Sequence, residues 1–151
     1  DSVKSFKRLQ HRFEILGIKN GLTYINDSKS TNISSLLTAL NSTQKLYGKE
    51  KTLLICGGDT KGQDFSMIQT SSLKSIKKIF IFGKDKEKIM KEIGIKVDCI
   101  LSEDLEDALQ KLKNFSSQGD VVLLSPSCSS TDMFSDYKER GNKFRQLSGF
   151  V

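Results

Sequence analysis

The feature that most constrains this chain is a regular alternation, beginning near residue 52, of short apolar runs with segments of helical character. The runs at Thr52–Cys56, Lys78–Phe82, Val97–Leu101 and Asp120–Leu124 are near-continuous rather than alternating, as in strands covered on both faces. Helices are expected over 66–75, 85–93, 104–114 and 134–147. Alternating strands and helices imply right-handed crossovers and a mostly parallel sheet. Upstream, residues 13–18 and 22–26 flank Asn20-Gly21, two residues that tolerate positive φ, so an antiparallel hairpin is predicted there. From Ile33 the apolar residues fall at Ile33, Leu36, Leu37 and Leu40, the spacing of a helix that ends near Gly48. The expected fold is α/β: a Rossmann-like three-layer domain with a mostly parallel sheet, helices on both faces and an N-terminal antiparallel hairpin. A short helix over 2–10 is expected to precede it.

At 151 residues the chain is long enough for one domain with a full core. No apolar run reaches the length of a membrane span, and the opening Asp1-Ser2-Val3-Lys4 is not a signal peptide, so no membrane partner is expected. Cys56, Cys99 and Cys128 are widely spaced with no CxxC pair, which fits a reducing cytoplasm and offers no metal site. The net charge of +6 raises nucleic acid as a partner, but its location argues against it. Residues 70–96 hold eight lysines against Asp85, Glu87 and Glu92, nearly the whole excess. The two aromatic residues among them, Phe80 and Phe82, fall in an apolar strand run rather than being interleaved with the lysines as on a stacking surface.

Ligands of an open parallel sheet bind at the carboxyl ends of its strands. Of the five loops at that edge, three are polar for their length: Asn26–Asn32, Gly57–Asp64 and Ser125–Asp132. The loops starting at Gly83 and Ser102 read as ordinary turns. The three polar loops are therefore expected to converge. In the first, Ser30, Thr31 and Asn32 are all possible N-caps, and the helix start beside Lys29 suits a carboxylate or phosphate. In the second, Lys61 stands among glycines that let backbone approach an anion closely. The P-loop pattern fails there, because Gln63-Asp64 replaces the Lys-Ser/Thr pair, and no G-x-G-x-x-G occurs. The third carries four serines and one threonine. A nucleophilic Cys128 or Ser130 would need a positioned base, and His11 is the chain's one histidine, so no catalytic residue is assigned.

Four blocks then carry a resemblance: HRFE at His11–Glu14, NDSKSTN at Asn26–Asn32, GGDTKGQDF at Gly57–Phe65, and SPSCSSTDMF running into DYKERG at Ser125–Gly141. In that order they resemble the C-terminal domain of the bacterial muramyl ligases, and the DSKSTN block resembles the D-glutamate-adding members. The resemblance implies an ATP-dependent amide ligase of peptidoglycan synthesis that adds D-glutamate to UDP-N-acetylmuramoyl-L-alanine through an acyl phosphate. It implies a cytoplasmic monomer in which residues 1–151 form the amino-acid-binding domain. The UDP-binding and central ATPase domains lie outside this chain, with ATP and Mg2+ held mainly by the central one. On the same footing Arg12, Asp27, Lys29 and His11 match nucleotide-binding positions, though His11 reads equally as a structural hydrogen-bonding residue. Lys29, Thr31, Lys61, Ser130, Thr131 and Tyr137 match positions around D-glutamate. Thr131 and Tyr137 depart from the pattern, standing where relatives often have apolar residues or phenylalanine. Two alternatives stay open: a sister ligase adding another amino acid, and a non-catalytic nucleotide- or anion-binding module.

Overall fold

A computed structural model describes residues 9–150. The helix predicted over 2–10 lies outside the described residues, apart from Leu9 and Gln10, which are not helical. Six strands form one sheet: β1 (Glu14–Lys19), β2 (Leu22–Asn26), β3 (Thr52–Gly57), β4 (Ile76–Phe82), β5 (Cys99–Leu101) and β6 (Val121–Leu124), in the order β1-β2-β6-β3-β4-β5. Only β1 and β2 pair antiparallel; the other neighbours are parallel. Their hairpin closes with Lys19 opposite Leu22, and Asn20 and Gly21 take φ of 53° and 80°, the two positive values of a type I′ turn.

The helices are α1 (Ile33–Tyr47), α2 (Lys86–Ile93), α3 (Leu105–Leu112) and α4 (Tyr137–Leu147). The pleat sends alternate residues of the central strands to opposite layers. Leu54 and Cys56 of β3 pack with α1 and α2, through Leu36, Leu40, Ile89 and Ile93. Leu53 and Ile55 pack with α3 and α4, through Leu105, Leu109, Leu112 and Phe144. Strands β3 and β6 are buried throughout, which is why their sequences read as continuous apolar runs; β5, at the sheet edge, is only half-buried.

The predicted helix over 66–75 is not formed. Two 3-10 turns, Phe65–Met67 and Thr70–Leu73, stand there instead. Ile68 and Gln69 are extended between them, with ψ of 123° and 143°. The Lys96 ammonium donates to the carbonyls of Ser66 and Ile68, both at 2.7 Å. An α-helix would need those two carbonyls for its own ladder. The last helix starts at Tyr137 rather than 134, leaving a longer loop after β6.

Candidate functional site

The three polar loops leave β2, β6 and β3, which are adjacent in the sheet. They sit where the chain, having built β3, β4 and β5 outward, returns to insert β6, the topological switch point of the fold. Ser127 N donates to Ser30 O at 2.9 Å, and Asp59 and Ser129 exchange backbone bonds at 2.9 and 3.1 Å. Gln63 joins all three: its amide accepts from Ile33 N at 2.8 Å and donates to Ser127 O at 3.0 Å. At Gly58, with φ of 133°, a Cβ would lie 2.4 Å from Ser129 O. That glycine therefore serves loop-to-loop contact rather than approach to an anion. The Gly83 loop, read from sequence as an ordinary turn, is a buttress. Asp85 accepts from Thr60 N and Oγ1 at 2.8 and 3.0 Å, and Lys84 N donates to Asp132 at 2.8 Å.

Of the three candidate caps, Asn32 is the one used, accepting from Ser35 N at 2.9 Å. With Ile33 N held by Gln63, two of the first backbone donors of α1 are engaged within the protein. The cationic side chains, rather than a bare helix start, carry the site's positive character. Helix α4 opens with a reciprocal cap, in which Asp136 accepts from Glu139 N and Glu139 accepts from Ser135 N, at 2.9 and 2.7 Å.

Two cavities lie on this edge. The larger, about 460 Å³, is lined by Arg12, Asp27 and Lys29 and by the face of α1 at Ser35 and Thr38. The smaller, about 350 Å³, is lined by Lys61, Ser129, Ser130, Thr131 and Asp136. Thr31 and Tyr137 line both. Eight of the nine residues singled out from sequence are thus brought together. His11 is set apart from both linings. It is buried, its Nδ1 lies 3.0 Å from the Asn26 amide, and burial holds its pKa below the ordinary value.

Asp27 is buried beneath the larger cavity. One carboxylate oxygen accepts from Phe13 N and the other from Ser125 Oγ, both at 2.8 Å. Burial nevertheless raises its pKa to about 6, because those two bonds and Arg12 only partly offset the loss of water. Lys29 reaches Tyr137, with Nζ 3.3 Å from the hydroxyl and 4.6 Å from the ring centroid. Lys61 is exposed, with Asp59 at 3.5 Å. Cys128 is fully buried and its thiol is pushed up to about 12, the opposite of an activated nucleophile. Among the described residues no group of three His, Cys, Asp or Glu could hold a metal ion.

One residue the sequence reading passed over is central. Arg140 lies inside the DYKERG block and is 1% exposed. Its guanidinium donates to Ser28 O at 2.7 Å, Ser28 Oγ at 3.0 Å and Cys128 O at 3.0 Å, so α4 is tied to the first and third loops at once. Its acceptors are neutral, and burial lowers its pKa to about 10. The available signal was spacing: Arg140 and Phe144 lie four apart, on one face of α4.

Residues 11–128 match the family model described as "Mur ligase, glutamate ligase domain". Curated relatives include the UDP-N-acetylmuramoylalanine–D-glutamate ligases of Hydrogenobaculum sp. (strain Y04AAS1), 43% identical over 146 residues, and of Shewanella oneidensis, 40% identical over 153 residues. Each alignment covers 97% of this chain but only 34% and 33% of the relative, so the chain spans about a third of their length. Among solved structures, a murein peptide ligase from Psychrobacter arcticus superposes with a TM-score of 0.66 at 15% identity, covering 99% of this chain and 32% of that one. The MurF ligase of Thermotoga maritima in complex with ADP gives 0.59 at 18%, covering 95% and 31%. At such identities these neighbours establish the fold, and the sequence matches establish kinship. The chain belongs to the Mur ligase family, as its C-terminal glutamate ligase domain.

Proposed function

We propose that this domain binds D-glutamate and closes over ATP in a ligase that joins D-glutamate to UDP-N-acetylmuramoyl-L-alanine during peptidoglycan synthesis. The observation that carries the reading is the pair of cavities sharing Thr31 and Tyr137, with Lys29 and Arg12 on one side and Lys61 on the other. The larger has the size of a small-molecule site and a buried carboxylate suited to ribose hydroxyls. The smaller combines an exposed ammonium with five hydroxyl-bearing side chains, which suits an amino acid bearing two carboxylates.

In the reaction, the γ-phosphoryl group passes from ATP to the carboxylate of the muramoyl-alanine, giving an acyl phosphate and ADP. The D-glutamate amine then attacks the acyl carbon, and the tetrahedral intermediate expels phosphate to leave the amide. This chain's part is positioning: Lys61, Ser130 and Thr131 hold the amino acid, Asp27 and Arg12 the nucleotide, and Lys29 stands between them. Mg2+ and most contacts to the ATP phosphates are assigned to a central domain outside this chain. The enzyme is read as a cytoplasmic monomer with no nucleic-acid or membrane partner. No helix among the described residues is long and apolar enough to cross a membrane.

The test is amide formation by a ligase carrying this domain, measured as amino-acid-dependent phosphate release. D-Glutamate is expected to support turnover while L-lysine, L-alanine and diaminopimelate do not. The isolated 151-residue chain is expected to turn over neither ATP nor D-glutamate. Preference for another amino acid would replace this reading with that of a sister ligase, and nucleotide binding without ligation with that of a binding module.

A further inference from the structure

The boundary between the two cavities is built from an unusual pair. Lys29 carries a cationic group into the larger cavity, yet among the described residues no carboxylate forms an ion pair with it. Asp27, two positions away, has its oxygens turned to Phe13 N and Ser125 Oγ. The ammonium instead sits over the hydroxyl-bearing edge of Tyr137, 3.3 Å from the hydroxyl and 4.6 Å from the ring centroid. A neutral ring orients a cation without cancelling its charge, whereas a carboxylate would do both. The ring is itself fixed. Tyr137 is the first residue of α4, its carbonyl accepts from Ser28 Oγ at 2.7 Å, and His11 meets it edge-on at 6.0 Å. Two loops and a helix start therefore determine where the phenol stands, and the phenol determines where the ammonium stands.

We propose that Tyr137 acts through its side chain as a positioning residue, holding the Lys29 ammonium at the junction of the two cavities with its charge left free for an anionic reactant. The inference rests on the ligase reading and adds to it a role for the phenol, beyond any contact its backbone makes. A freely rotating lysine would place its charge at the junction only part of the time, so the loss of Tyr137 should reduce turnover more than binding.

In a ligase carrying this domain, Tyr137→Phe should lower kcat by about 3- to 10-fold and Tyr137→Leu by about 30-fold or more. The KM values for D-glutamate and ATP should stay within about twofold. In the chain itself, the Lys29 Cε protons should be shifted upfield by the ring, keep most of that shift in Tyr137→Phe, and lose it in Tyr137→Leu. Absence of the ring shift in the unmutated chain, or an unchanged kcat in Tyr137→Phe and Tyr137→Leu, overturns the inference. Lys29→Ala separates the levels. If it lowers kcat while Tyr137→Leu does not, only the positioning role falls; if it has no effect in an active ligase, the place given to Lys29 in the reaction falls with it.

Discussion

Arg140 holds Ser28 twice, through Nε to the hydroxyl at 3.0 Å and through Nη2 to the carbonyl at 2.7 Å. With Nη1 on the Cys128 carbonyl, a single buried guanidinium sets the first loop, the third loop and α4 in one register. The same Ser28 hydroxyl donates to Tyr137 O, so the network ends at the cavity wall.

Arg140→Met removes the charge but keeps much of the volume. It leaves two buried carbonyls without their donor, each costing about 1–3 kcal/mol, while relieving the guanidinium of its own burial. A net loss of about 2–4 kcal/mol is expected by urea denaturation, the size that breaking a buried hydrogen-bond network gives. Arg140→Lys should recover only part of it, because one ammonium cannot span three acceptors in a planar fork.

Asp27→Asn should stabilise the domain at neutral pH. The folded-state pKa of about 6 lies above the ordinary 3.8, so the folded protein favours the protonated acid. That contribution is fully present below 3.8 and lost as pH rises through about 6. The ionised form thus costs on the order of 1–3 kcal/mol above pH 7, at about 1.36 kcal/mol per unit. The asparagine keeps an acceptor for Phe13 N and a donor towards Ser125. Melting temperature should rise at pH 8 and converge with the unmutated domain near pH 4. In the ligase the same change should raise the KM for ATP, a trade of stability against function.

Gly141→Ala should damage the fold through His11. The added Cβ would lie 2.1 Å from Nδ1 and 2.7 Å from Cε1, and it would displace the ring from Asn26. A loss of about 1–3 kcal/mol is expected on thermal denaturation. The His11 pKa is lowered by burial, so the sign is opposite to that of Asp27: its stabilising contribution is present above 6.5 and lost as pH falls through the depressed folded value. His11→Gln should flatten that acid-side slope.

Lys61→Ala separates a ligand clamp from a surface turn. The ion pair with Asp59 at 3.5 Å is exposed, and Lys84 stands 3.7 Å from the same carboxylate. Domain stability should therefore change by less than about 0.5 kcal/mol. In the ligase, where the clamp on D-glutamate would lie in a partly water-excluded cleft, losing one partner of the pair costs about 2–5 kcal/mol, a tens- to thousands-fold rise in the KM for D-glutamate. The KM for ATP should hold. An unchanged D-glutamate KM would remove Lys61 from the site.

What the sequence determined by itself is what depends on near neighbours. The Asn20-Gly21 turn, the apolar runs of β3 and β6, the stop of α1 at Gly48 and the three polar loops are all set within a few residues, by backbone preference and by which faces lack water. The eight residues that share the two cavities were legible because they crowd into loops at one sheet edge. Tertiary structure decided the rest, because the deciding partner is far along the chain. Lys96 takes the Ser66 and Ile68 carbonyls across about 30 residues, and 3-10 turns replace a helix. Asp85 makes an ordinary-looking turn into the support of Thr60. His11 is held apart from the cavities by Asn26, in space that the missing side chain of Gly141 leaves open. Arg140 has the local sequence of a solvated helix residue and becomes the most enclosed charge in the site, because its three acceptors converge only once β2, β6 and α4 are in place.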